Sequence, residues 1–216
     1  MLDYEVSSCV MPDIRSSQHS SNENTTLQIY DCGAIVTLDY AGARATHEGD
    51  SWWGLAVGFR AMQVAAGLLS QSGLWDRDRL HVVSGHPGPG VRHSIDHVTR
   101  SIERKRFHFL KEQAGGSGCS RDMKYEWWLE HGQITAVVRL HPDFVPEPFY
   151  DLLDRLGGNH ERKRDRRDFD AFKADLEARI WHEPLTASFY AECLPVPLNA
   201  AQCLQVGISR GRLNKS

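Results

Sequence analysis

An α+β fold, a mixed β-sheet flanked by helices, is the class that this sequence predicts. Three observations carry it. An apolar stripe of helical period starts near Trp52 or Gly54, where Leu55, Phe59, Met62, Ala66 and Leu69 recur three and four residues apart and Ala65 and Leu68 widen the face. A hairpin pattern stands late in the chain, with Tyr125–Leu129 and Gln133–Leu140 flanking the short turn Glu130-His131-Gly132. Strands and helices alternate without a regular βαβ rhythm, which favours a mixed sheet over a doubly wound one.

The elements follow in order. Residues 1–25 are polar and rich in Ser and Asn (SSQHSSNENTT), and read as a flexible lead-in. Leu27–Tyr30 and Ala34–Leu38 are short strands broken by Asp31-Cys32-Gly33. Ala41–Ser51 reads as a tight loop, and Gly73 after Ser72 ends the long helix. Leu80–Ser84 is a buried strand, Gly85-His86-Pro87-Gly88-Pro89-Gly90 a loop, and Val91–Glu103 a second helix. Arg106–Leu110 has strand character, and Ala114–Gly118 is a glycine-rich connection. After the hairpin, Phe149–Leu156 reads as a helix. The mixed-sign run His160–Asp170 reads as a solvated loop and helix start, and Phe169, Phe172, Leu176 and Ile180 mark the helix behind it. One domain over 26–195 and a loose tail over 196–216 complete the organisation.

Composition narrows the function classes. With 216 residues, 41% hydrophobic and 25% charged, the chain is neither a disordered segment nor a fibrous repeat. A net charge of -3 argues against a dedicated nucleic-acid binder. No stretch reaches the ~20 apolar residues of a membrane span; the longest candidate, Trp52–Leu69, contains Arg60 and Gln63. The N-terminus lacks the basic and apolar regions of a secretory signal. Cys9, Cys32, Cys119, Cys193 and Cys203 are scattered and form no CxxC pair, so a reducing cytoplasm is expected.

The chemistry-bearing residues fall into three groups. His93 and His97, four apart on a predicted helix, project from one face and suit a shared metal ion. His86 in the preceding loop and His47 and Asp50 at the start of the long helix are further candidate ligands, with Asp50 and Asp96 also able to orient an imidazole. Neutral imidazoles with a carboxylate select zinc or a similar divalent ion. The loop from Gly85 to Arg92 is the second group: Gly88 and Gly90 could present backbone N–H groups to an anion, with Arg92 as charged donor. It matches neither dinucleotide nor P-loop fingerprints, Pro87 and Pro89 remove two donors, and a rigid turn is the favoured reading. Third, the adjacent pairs Trp52-Trp53 and Trp127-Trp128 each send one ring away from the neighbour's face, and a homodimer would cover an exposed one. No GxSxG elbow or Cys–His nucleophile setting is present; Cys119 reads as incidental.

The stretches HEGDSWWGLAVGFRAMQVAAGLL, LHVVSGHPGPGVRHSIDHVTR and KYEWWLEHGQITAVVRL resemble the E-subunit family of formylmethanofuran dehydrogenase over roughly residues 45–195. Gly54-Leu55-Ala56-Val57-Gly58-Phe59-Arg60 stands where that family has its Gly-Leu-Ala-x-Gly-x-Arg helix start. The resemblance implies a helix-flanked sheet with a late hairpin, often dimeric, with a metal site where the first helix meets the second loop. It also implies a redox or one-carbon enzyme complex as partner. Trp52 falls where the family has cysteine, His47 is offset by one from a family histidine, and the second loop carries Pro89 and Gly90 in place of cysteine. The site is therefore rebuilt from His47, Asp50, His86, His93 and His97, or lost.

The expected function is a metal- or small-ligand-binding accessory protein, since the family's namesake does not carry the catalytic centre of its enzyme. One alternative is a small enzyme with His86 or His47 as general base and Arg60 or Arg92 holding an anionic substrate. Another is a structural, partner-binding protein with an exposed tryptophan patch.

Overall fold

Thr26–Asp31 (β1) and Ala34–Asp39 (β2) form an antiparallel hairpin turned by Cys32 and Gly33, both in the left-handed region at φ 51 and 80. In the computed structural model, residues 25–71, 73–110, 119–157 and 162–201 are described. The lead-in before Thr25, the connection at 114–118, the first residues of the charged run and the tail beyond Ala201 lie outside them.

The segment expected as a loop after β2 begins as a helix, Tyr40–Thr46 (α1). Asp39 caps it, accepting from Gly42 N–H at 2.6 Å. That bond satisfies one of the orphan donors of the first turn, and it outweighs the weak propensity of a sequence holding Gly42 and Thr46. His47 then turns the chain in an extended conformation into Trp52–Leu69 (α2).

α2 is the centre of the molecule. Leu55, Phe59 and Met62 are wholly buried, and each such side chain stabilises the fold by at most ~1.5–3 kcal/mol. Its glycines bring the next helix, Pro89–Thr99 (α3), unusually close. A Cβ on Gly58 would lie 3.0 Å from Ser94 Cβ, one on Gly54 3.3 Å from Val91 N, and one on Gly90 would overlap the Ser51 carbonyl oxygen. Ser94 Oγ donates to Leu55 O across this contact. α3 stops at Thr99 rather than Glu103, because Arg100 is left-handed at φ 52 and Asp96 Oδ1 accepts from Ile102 N–H at 2.8 Å.

Leu80–Ser84 (β3), Phe107–Phe109 (β4), Glu126–His131 (β5), Ile134–Leu140 (β6) and Phe189–Leu194 (β7) build the main sheet. Its order is β4-β3-β5-β6-β7. β3 and β4 are parallel and the other pairs antiparallel, so the expected mixed sheet and late hairpin are observed. Trp127, Leu129, Ala136 and Val138 face the helical layer. Trp128, Val83 and Val137 face the other way, where Leu198 and Ala201 cover them. Both faces are covered, so Trp127 and Trp128 are buried at 0% and 3% exposure. The expected exposed tryptophan is absent from this pair. Trp53 is also buried, stacked on Phe144 at 5.8 Å, and half-buried Trp52 lies under the Arg44 guanidinium.

Glu147–Leu156 (α4) packs against Lys163–His182 (α5), and α5 against α2, followed by one turn, Leu185–Ser188 (α6). The charged run expected to hold a loop is helical from Lys163 onward. Arg164 pairs with Asp168 one turn on, Arg155 reaches Asp165, and Leu176 and Ile180 anchor the inner face. No helix among the described residues is long and apolar enough to cross a membrane.

Candidate functional site

α1 and α3 together create a histidine cluster. His93 and His97 lie one turn apart on α3, and His47 stands at the C-terminal end of α1. The His47 and His93 ring centroids are 5.0 Å apart, and the His47 ring meets Trp52 edge-on at 5.5 Å. Thr46 Oγ1 donates to the Gly42 carbonyl at 3.1 Å, so at its 3.1 Å contact with His93 the imidazole Nε2 is the donor. His97 packs against Gly42.

Among the described residues, the buried Nε2 atoms of His47 and His97 have no hydrogen-bond partner. An unpaired buried polar atom costs ~1–3 kcal/mol. Burial lowers the pKa of His47, and His93 lowers it further, against the opposing charges of Asp50 and Glu48. Burial likewise lowers that of His97, with His93 and Arg77 adding to it and Asp39 opposing. Both rings are therefore held neutral, the form in which imidazole binds a metal. Beside the cluster lies a cavity of about 620 Å³, walled by Thr46, His93, His97, Arg77, Arg92 and Arg100 on its polar side and by Val36 and Leu38 on its apolar side.

The five expected ligands do not all meet. His47 meets His93, with His97 one turn on along α3; Asp50 is exposed and its carboxylate pairs with Lys173 at 3.4 Å. His86 lies in a separate cleft. Among the described residues, no group of three or more His, Cys, Asp or Glu side chains is placed to hold a metal ion as they stand.

The four expected ligand-binding residues take other duties. Arg60 is buried in α2, donating to the carbonyls of Ile180 and Glu183, each at 3.1 Å, and to Gln63 Oε1 at 3.0 Å. Burial brings its pKa down to about 10. It closes the C-terminal end of α5 rather than facing a ligand. Gly88 N–H is spent on His86 Nδ1 at 3.0 Å, and Gly90 serves the α2–α3 contact. Arg92 is exposed, with its guanidinium 5.7 Å from the Phe109 ring centre at the cavity wall.

The second cleft, about 180 Å³, lies between the start of α2, the β3–α3 loop and α5. His86 is 2% exposed, and its ring lies 4.5 Å from that of Tyr125. Tyr125 Oη accepts from Trp53 Nε1 at 3.0 Å. Tyr125 and Cys119 were not legible as site residues. One is the first apolar position before β5, and the other follows a glycine-rich stretch. Nothing in the spacing of either signals that the fold brings it to His86.

No protein-family model matches the chain, and no curated protein aligns with it significantly.

Proposed function

We propose that the protein is an accessory protein similar to the E-subunit of formylmethanofuran dehydrogenase, and that it binds a divalent metal ion such as zinc through His47, His93 and His97, without a catalytic step of its own. The observation that carries this reading is that the buried Nε2 atoms of His47 and His97 have no partner among the described residues, with the His47 ring 5.0 Å from that of His93. Three imidazoles are a donor set suited to zinc. Binding by all three requires His93 to give up Thr46, whose hydroxyl keeps its bond to Gly42. A bound ion would supply Lewis acidity to a small molecule in the adjoining cavity. α1 and α3 contribute the ligands, so the ion would also tie these helices together.

The family assignment rests on the Gly54–Arg60 helix start, the strand–loop–helix order that follows it, and the late hairpin. A homodimer, a redox or one-carbon partner complex and a cytoplasmic location belong to the same reading. The enzyme reading is weaker at His86: burial lowers its pKa to about 3, far below the value that serves a general base near neutral pH.

Elemental analysis of untagged protein, beside a His93→Ala/His97→Ala double variant, tests the metal reading. Near-stoichiometric zinc or another divalent ion in the parent and its loss in the variant is the expected result. No metal in either protein after reconstitution with zinc would overturn it.

A further inference from the structure

The cleft around His86 has a construction unlike that of the histidine cluster, and it is independent of any metal. Its walls are apolar: Trp53, Met123, Phe149, Leu153 and Phe169. Set into them are two hydrogen-bond donors without work. His86 Nδ1 accepts from Gly88 N–H, which makes Nε2 the N–H of the neutral ring, and this N–H has no partner among the described residues. Tyr125 Oη already accepts from Trp53, so its own O–H is free to donate. Cys119 closes the same wall: its Sγ and His86 Nδ1 each lie 3.0 Å from the point where a Cβ on Gly88 would sit.

The lining carries two cations, Arg166 and Lys173, and one carboxylate, Asp50. Lys173 at the rim pairs with Asp170 at 2.8 Å and Asp50 at 3.4 Å. Burial keeps the His86 ring neutral, and burial raises the pKa of Tyr125 and Cys119, so both stay protonated. A carboxylate entering this largely apolar space would lose its hydration while Lys173 stays held by Asp50 and Asp170. A neutral carbonyl would lose little and would accept from both waiting donors. At about 180 Å³ the space is smaller than a drug-sized site of ~300–1,000 Å³ and suits a molecule of about one ring.

We propose that this cleft binds a small, neutral, largely apolar molecule bearing one carbonyl group, a carboxamide, ketone or aldehyde, with His86 Nε2–H and Tyr125 Oη–H donating to its oxygen and Cys119 at its side.

Three probes of nearly one shape test it: benzamide, benzoate and α-methylstyrene. The readout is the rate at which iodoacetamide alkylates Cys119, followed by peptide mass spectrometry; Cys32, exposed like Cys119 but outside the cleft, is the internal control. Benzamide slows Cys119 alkylation saturably and leaves Cys32 unchanged. Benzoate and α-methylstyrene each protect about 10-fold less well, because one brings an unpaired charge and the other leaves both donors unsatisfied. Tyr125→Phe, which keeps the ring, weakens benzamide protection about 5-fold through the lost donor. No protection by benzamide up to its solubility limit overturns the proposal. So does benzoate protecting as well as benzamide, which would make the site one for anions, and so does α-methylstyrene doing so, which would make the donors irrelevant. The three-probe series on the parent protein decides the matter even where the Tyr125 variant fails to fold.

Discussion

Arg77 and Asp31 form an ion pair at 2.6 Å that fastens the β1–β2 hairpin to the end of α3. The same guanidinium donates to the Val98 carbonyl at 2.7 Å and the His97 carbonyl at 2.8 Å, satisfying acceptors that the helix end leaves open. Arg77 is 3% exposed. One side chain thus holds the hairpin, the last turn of α3 and the backbone that carries His97. Trp75 adds a second fastening, its Nε1 donating to the Gln28 carbonyl at 2.8 Å.

Replacing Arg77 with methionine keeps much of the apolar stem and removes every one of these bonds. Breaking a buried, hydrogen-bonded pair costs ~3–5 kcal/mol. Arg104 and Arg100 remain beside Asp31, at 2.9 and 3.7 Å, so the lower end of that range is expected. Urea denaturation followed by tryptophan fluorescence measures it. A loss below about 1 kcal/mol, the size of a surface-pair effect, would show that the hairpin is not held through Arg77.

The Asp31 carboxyl carries the acid sensitivity of this junction. Burial pushes its pKa up, but the hydrogen bonds and charges of Arg77 and Arg104 outweigh burial and hold it below the ordinary 3.8. An acid with a depressed folded-state pKa contributes stability that is complete above 3.8 and disappears as pH falls through the folded value. Asp31→Asn is therefore less stable than the parent at pH 6, and the difference shrinks steadily below pH 4. Paired urea curves at pH 6, 4 and 3 check this. A difference that stays constant would place the stabilising charge elsewhere.

The Gly90 contact sets the distance between α2 and α3. A methyl group there would overlap the Ser51 carbonyl oxygen and come within 2.7 Å of Leu55 N, which are backbone atoms and cannot rotate away. Gly90→Ala is expected to cost ~1–3 kcal/mol by overpacking, whereas Gly67→Ala on the outer side of α2, with open space around it, gains a few tenths up to ~1 kcal/mol from helix propensity. Melting temperatures of the two variants should move in opposite directions.

Features with a local cause were legible in the sequence. The stripe from Leu55 to Leu69 marks α2 because the helix buries that period. Leu80–Ser84 reads as a strand because both faces of the sheet are covered and its residues follow suit. α1 escaped notice because its decisive bond, Asp39 to Gly42, precedes a stretch with no apolar period. The charged run in α5 misled because mixed signs also describe a solvated helix face laced by pairs such as Arg164–Asp168. The i,i+4 spacing of His93 and His97 puts both on one helix, and His47 reaches His93 from a distant segment. Asp50 turns to Lys173 and His86 lines the second cleft, pairings that no spacing in the sequence encodes.

His86 gives the protein an acid sensitivity in a different window from that of Asp31. Burial lowers its pKa from 6.5 to about 3, so the folded state resists the proton that the unfolded chain accepts. A base with a depressed folded-state pKa contributes stability above its unfolded value, 6.5, and this is lost progressively as pH falls toward the folded value. The slope approaches ~1.4 kcal/mol per pH unit below 6.5 for one such group, and His47 and His97 add to it in the same direction. Stability measured by urea denaturation should therefore fall between pH 7 and pH 5, where Asp31 is still ionised. His86→Gln, which cannot titrate, should show a shallower fall than the parent over that interval. If the two slopes coincide, the His86 ring is protonated in the folded protein without resistance, and the dry, neutral character assigned to the second cleft is wrong.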